Sequence, residues 1–145
     1  MSVEDTRAEA VVRAMLSRDA FSRWLGIEVV DVAPGRCTVR MVVRPEMVNG
    51  FGVAHGGIAY SMADSALAFA SNTNGRVTVS IENTIGYPVA VHPGNVLTAE
   101  AVEESAGNRI AFYSVPVRNE AGVLVAHFRG TVYRTSQHHE LEPKP

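Results

Sequence analysis

Between Gly56 and about Thr73 the chain places apolar side chains on nearly every side of a helix, with Ile58, Ala59, Tyr60, Met62, Ala63, Ala66, Leu67, Ala68, Phe69 and Ala70 in close succession. A helix that is apolar all round must be surrounded by protein. Asn72-Thr73-Asn74-Gly75 tolerates terminal geometry and closes it. The rest of the chain therefore has to supply a wrapping.

The flanks carry the patterns for one. Residues 5–25 read as helical, because Ala8, Val11, Val12, Met15 and Leu16 recur at three- and four-residue steps. Trp24 and Leu25 resume the pattern after a break near Asp19, and Gly26 suits a helix stop. Ile27 to Val32 leads into a Pro34-Gly35 turn, after which Cys37, Val39 and Met41 alternate with Arg36, Thr38 and Arg40, so a β-hairpin is predicted. A loop from Arg44 to His55 holds Asn49, Gly50 and Gly52.

Beyond the helix the chain reads as strands. Val77, Val79, Ile81 and Ile85 alternate with Thr78, Ser80, Glu82 and Thr84, and Leu97, Ala99 and Ala101 alternate with Thr98, Glu100 and Val102. Two more strands follow, over 109–117 and 123–133, and Pro116 implies an edge or a bulge because proline cannot donate to a ladder. The order gives an α+β class, an antiparallel sheet wrapped around the helix at about 56–73. Residues 1–25 form a helical segment packing on a domain of 26–135, and 136–145 a polar tail expected to fray.

Composition removes several function classes. A length of 145 residues suits one domain, and a net charge of −2 gives no footprint for nucleic acid. No apolar run reaches the roughly 18–20 residues of a membrane span, and the start Met1-Ser2-Val3-Glu4-Asp5 is acidic where a secretory signal would be basic. A cytoplasmic location is expected. The single cysteine, Cys37, alternates inward with Val39 and Met41 and reads as a core thiol. His92 and His127 lack ligand partners at metal spacing, and His138-His139 lies in the tail, so no metal site is expected.

Three features could carry chemistry. Asp64 sits in the middle of the apolar helix, where an ionised carboxylate loses several kcal/mol of solvation unless compensated. Either it is a structural group that reaches a neighbouring backbone amide or looks out along the polar stripe of Ser61, Ser65 and Ser71, or it is held there to react. At Ala54-His55-Gly56-Gly57 the glycines leave backbone N–H groups uncovered at the positive end of a helix, an oxyanion site or a plain glycine turn. Asn49, in the preceding loop, either orients a water or carbonyl or forms an Asx turn. Gly56 and Asp64 are eight positions apart, about 12 Å along one helix axis. If both act on one carbonyl, they must come from different copies of the chain, which makes a homodimer compulsory.

The run from His55 through Asp64 to Asn72-Thr73, with Met47-Val48-Asn49-Gly50 before it and Phe128-Arg129-Gly130-Thr131 after it, resembles hot-dog-fold acyl-CoA thioesterases, most closely the phenylacetic-acid-degradation type. The similarity covers approximately residues 20–135. It implies a five- or six-stranded sheet around the helix, dimers with a continuous sheet, homotetramers, and hydrolysis of an aryl- or hydroxyphenylacetyl-CoA thioester. It maps the catalytic carboxylate onto Asp64, the carbonyl-polarising amide onto Gly56, a water- or substrate-positioning side chain onto Asn49, and a neighbour of the oxyanion site onto His55. Substrate contacts fall on Gly57, Ser65 and Ala68. No cofactor is implied, CoA being part of the substrate. Where relatives often carry Arg-Pro after the third strand, this chain has Tyr87-Pro88. Arg76, Arg109, Arg129 and Arg134 are candidates for the CoA phosphates, none of them assigned. A hot-dog hydratase or dehydratase and a non-catalytic acyl-CoA-binding module stand as alternatives.

Overall fold

The structure, a computed structural model, describes residues 2–141. Helix α1, Val3–Arg18, starts on a Ser2 cap whose hydroxyl accepts from the Asp5 N–H at 3.0 Å. The helical segment breaks at Asp19. There the chain re-enters α2, Ala20–Leu25, with the Asp19 carboxylate accepting from the Ser22 N–H at 2.9 Å. Gly26, at φ 80°, ends α2 in the left-handed conformation that glycine adopts without strain.

Strands β1 (Glu28–Ala33) and β2 (Arg36–Val42) form the hairpin. Helix α3 spans Gly56–Ser71, followed by β3 (Arg76–Gly86), β4 (Val96–Ala106), β5 (Ile110–Arg118) and β6 (Leu124–His138). All six strands lie in one sheet in the order β1-β2-β4-β5-β6-β3, every pairing antiparallel. The sheet wraps α3 as the α+β hot-dog expectation requires. Met62, Ala63, Ala66, Leu67 and Phe69 of the helix meet Val39, Leu97, Ala99, Val115 and Phe128 of the strands in one core. Burying large apolar side chains of this kind stabilises by about 1.5–3 kcal/mol each. Among the described residues no helix is long and apolar enough to cross a membrane.

For Pro116 the irregular pairing holds and the edge does not, and the expected tail is corrected. Pro116 lies on β5, an interior strand with neighbours on both sides. Its missing N–H is accommodated by an interruption of the ladder, since the β4 register passes from Ala99↔Val117 to Val102↔Ser114, and by a shift in the β6 register between Val117 and Arg118. The stretch from 136 does not begin as a tail. Strand β6 continues through His138, the His139 N–H donates to the Gly75 carbonyl at 2.8 Å, and the His139 ring meets Asn72 Oδ1 at 2.7 Å. Residues 142–145 of that stretch lie outside the described residues.

Asn72 explains why this end is ordered. It caps α3, and its side chain also donates to the carbonyls of Ala68 (2.7 Å) and Thr78 (3.1 Å) and accepts from the Thr78 N–H at 2.9 Å. One buried amide thus fixes the end of α3 against the start of β3, which sets the height of the helix over that strand.

Candidate active site

The entry to α3 is built by the loop before it. An antiparallel bridge joins Val48 to Ala54, and the His55 N–H donates to the Met47 carbonyl at 2.8 Å. His55 is the N-cap, its Nδ1 accepting from the Gly57 N–H at 2.9 Å, while the Ile58 N–H goes to the His55 carbonyl at 2.9 Å. Among the described residues the Gly56 N–H has no acceptor. A free donor at the positive end of a helix is suited to a developing oxyanion. His55 stands beside that donor and holds the first turn through its ring nitrogen. Gly57, expected to contact substrate, gives its N–H to this cap.

Tyr87 completes the entry. Its hydroxyl donates to the Gly56 carbonyl at 2.8 Å, and a Cβ on residue 56 would lie 3.2 Å from the phenol oxygen. A cleft of about 310 Å³ opens beside Gly56, walled by Val53, Ala54, Tyr87, Val89, Val91 and Leu97. Its walls are almost wholly apolar, with the polar groups confined to the helix end.

Asp64 is half-buried in the middle of α3. Burial pushes its carboxyl above the ordinary value, the Asn83 amide pulls it part of the way back, and the charge of Asp19 adds a smaller push. The partner is the side chain of Asn83 on β3, whose Nδ2 lies 3.4 Å from Asp64 Oδ1 and 3.1 Å from the Tyr60 hydroxyl. Tyr60 in turn packs edge-on against Phe128, ring centroids 5.3 Å apart. The partner of Asp64 is therefore a side-chain amide from the far edge of the sheet, where a neighbouring backbone amide was one expectation.

The remaining candidates divide. Asn49 forms the Asx turn, its Oδ1 accepting from the Phe51 N–H at 2.9 Å, and among the described residues its amide nitrogen has no acceptor. Ser65 is buried and shares a 2.7 Å hydrogen bond with Ser22 of α2, so its hydroxyl faces the helix pair. Ala68 is half-buried, and its carbonyl accepts from the Asn72 amide. Arg76, Arg109 and Arg134 are tied to the backbone carbonyls of Thr135, Arg134 and Gly107 and knit one end of the sheet. Arg129 is exposed on β6.

Asn83 and Tyr60 were not among the site residues expected from the pattern. The available signal was an asparagine at 83, a place that the Val79-Ile81-Ile85 alternation would give to an apolar residue.

The chain resembles known proteins along most of its length. The thioesterase superfamily model matches residues 51–126. The acyl-coenzyme A thioesterase PaaI of Escherichia coli is 35% identical over 121 residues, 83% of this chain and 86% of that protein. Human acyl-coenzyme A thioesterase 13 is 35% identical over 127 residues, 83% of this chain and 89% of its own. The solved structure of the E. coli PaaI protein superimposes with a TM-score of 0.91 at 32% identity, covering 92% of this chain and 97% of that one.

Proposed function

The chain belongs to the thioesterase superfamily, and we propose that it hydrolyses an acyl-CoA thioester to free acid and CoA, with aryl- or hydroxyphenylacetyl groups as the acyl class. One observation carries this reading: a helix whose first N–H is free at the mouth of an apolar cleft, with a half-buried carboxylate eight residues further on. The acyl class is supported by the apolar walls and the Tyr87 ring beside Gly56, and by the origin of the E. coli relative in a phenylacetic acid degradation operon.

In the proposed reaction the Gly56 N–H polarises the thioester carbonyl and holds the oxyanion. Asp64 either attacks the carbonyl carbon or takes a proton from the water that does. The tetrahedral intermediate collapses with release of CoA thiolate, a good leaving group that calls for no further cofactor; direct attack leaves an acyl–Asp64 anhydride, which water then hydrolyses to the free acid and the carboxylate. Asn49 and His55 flank the carbonyl site. About 12 Å of helix separates Gly56 from Asp64 in one copy, so each centre takes the amide from one protomer and the acid from its partner. Strand β3 ends the sheet on the side that holds Asn83, with Val79 and Ile81 exposed. We assign that edge to the dimer contact. Phe112 and Tyr133, exposed on β5 and β6, offer an apolar surface on which dimers would pair into a homotetramer.

A hydratase would need His55 and Asp64 to act as one acid–base pair. In a shared centre they too would come from different protomers, and what counts against the pair is that the His55 Nδ1 already accepts from the Gly57 N–H.

The test is a panel of acyl-CoA esters followed by thiol release. Aryl- and hydroxyphenylacetyl-CoA are expected to be turned over fastest. Asp64→Asn should bind the esters while hydrolysis falls by about 100- to 10,000-fold. An Asp64→Asn variant as fast as the parent leaves only a binding module. Mixing two inactive variants, Asp64→Asn and Gly56→Pro, should restore activity if the centre is shared, and should restore none if it lies within one chain.

A further inference from the structure

Ser80 and Asn83 are three residues apart on β3, a spacing that in a regular strand sends two side chains to opposite faces. Here they share one. The register with β6 shifts between Ser80 and Glu82, so that Ser80 stands opposite Val132 and Asn83 opposite Gly130. Val132 and Gly130 are both buried, as expected of the face turned toward α3. Ile81 is the extra residue, an irregularity of the kind that re-aims side chains near functional sites.

Two further features shape the place that Asn83 occupies. Gly130 leaves room for it, since a Cβ there would lie 2.9 Å from Asn83 Oδ1 and would also collide with Leu67. The Ser80 hydroxyl donates to Asn83 Oδ1 at 2.7 Å. The ionised Asp64 carboxylate, which can only accept, decides which way the amide faces, and the Ser80 hydroxyl serves the oxygen that is left. With its oxygen engaged by Ser80, both N–H donors turn inward, one to the Tyr60 hydroxyl and one to the Asp64 carboxylate.

We propose that Asn83 is a positioning residue for the reactive carboxylate, its amide locked by Ser80 so that it orients Asp64 toward the thioester carbonyl bound by the partner protomer. This rests on the thioesterase reading above. The 3.4 Å contact is at the long end for a hydrogen bond, and such contacts commonly tighten when substrate binds. A donor on the carboxylate favours its ionised form, the form that can attack or accept a proton. The charged group that bears on Asp64 is Asp19, at the junction of α1 and α2, while Tyr60, one turn earlier on α3, shares the Asn83 amide with it. Ser80 and Asn83 of β3 are neutral. The Asn83 amide is thus the donor that offsets both burial and the Asp19 charge.

The experiment compares Asn83→Leu and Asn83→Ser with the parent in two ways. The first is the pH profile of kcat and KM on the best acyl-CoA ester. The second is the titration of the Asp64 carboxyl carbon by NMR in aspartate-labelled protein, a readout that does not depend on activity. Asn83→Leu should lower kcat by about tenfold or more with KM little changed, and should move the acidic limb upward by about half a pH unit or more. The Asp64 NMR midpoint should rise with it, and Asn83→Ser, which keeps a donor, should fall between. Ser80→Ala should move the midpoint in the same direction by less. An Asp64 midpoint that is the same in Asn83→Leu, Asn83→Ser and the parent overturns the proposal, whatever kcat does. Should Asn83→Leu fail to fold, Asn83→Ser and Ser80→Ala decide it alone. A parent that hydrolyses no ester while the midpoint still shifts overturns the thioesterase reading and leaves the coupling of Asn83 to Asp64 standing.

Discussion

The hydroxyl of Tyr87 donates to the carbonyl of Gly56 at 2.8 Å, and the same phenol would sit 3.2 Å from a β-carbon at that position. The aromatic ring therefore rests on the first turn of α3, next to the free N–H, and two substitutions at one position separate shape from hydrogen bonding. Gly56→Ala adds the β-carbon and keeps the donor; the half-exposed Tyr87 side chain can yield by the few tenths of an ångström required. Gly56→Pro removes the donor at the first helical position, where proline is accepted and where His55, at φ −58° and ψ 137°, already has the extended geometry a following proline demands. Steady-state kinetics should show Gly56→Ala within about tenfold of the parent and Gly56→Pro lower in kcat by about 100- to 1,000-fold, the usual loss for one oxyanion donor.

Asp64 links activity to stability with a definite sign. Its carboxyl is held above the ordinary value of 3.8, chiefly by burial, so the folded chain binds this proton more tightly than the unfolded chain does. The contribution of the site to stability is fully present below 3.8, declines as pH rises through the interval up to the raised folded value, and stays low above it. Asp64→Asn, neutral throughout, should therefore melt higher than the parent at pH 7, and the gain should shrink as the pH is taken toward 3.8. Thermal melts at the two pH values check this. A variant less stable than the parent at pH 7 would mark the carboxylate as structural.

Cys37 is fully buried on β2, and burial, aided by the charge of Asp31, pushes its thiol up to about 12. The thiolate is the reactive form. Native protein should give no colour with a thiol-reactive dye over the minutes of a hydrolysis assay, and the single cysteine of each chain should react once denaturant is added. Rapid labelling of the native protein would contradict this burial.

Gly130→Ala tests the contact between β6 and β3 from the other side. The new methyl group would press on Leu67 and stand 2.9 Å from Asn83 Oδ1. Overpacking of this kind typically destabilises by about 1–3 kcal/mol, measurable by denaturant unfolding. Because the clash falls partly on the amide that faces Asp64, the acidic limb of the pH–rate profile should also move upward.

Much of this was legible in the chain. The apolar sides of α3 required a wrapping, the alternation at Cys37, Val39 and Met41 matches a buried face, and the glycine pair marked the helix entry. Counting residues along α3 is enough to separate Gly56 from Asp64. What alternation could not show was phase. The pattern groups Val79 with Ile81 and Ile85, yet Val79 and Ile81 are exposed while Asn83 and Ile85 are half-buried, because the register shift lies between them. An irregular register is a property of two paired strands, and one strand read alone does not contain it. For the same reason Pro116 left an edge and a bulge equally open, and only the paired strands show that the ladder is irregular beside it in the interior of the sheet. The stretch after 136 looked like a tail because its anchor, the Asn72 side chain, lies more than sixty residues away.

The extra residue in β3 has a consequence for how such a chain can vary. Edge segments usually tolerate insertions and deletions, because little depends on where each side chain lands. Here, removing Ile81 would restore the regular pleat and leave Ser80 and Asn83 two positions apart, still on one face, whereas drawing Ile81 back into the pleat would send one of the two to the other side. A chain one residue shorter at this point should therefore keep the hydroxyl and the amide together, and a chain of this length keeps them together only while the irregularity persists.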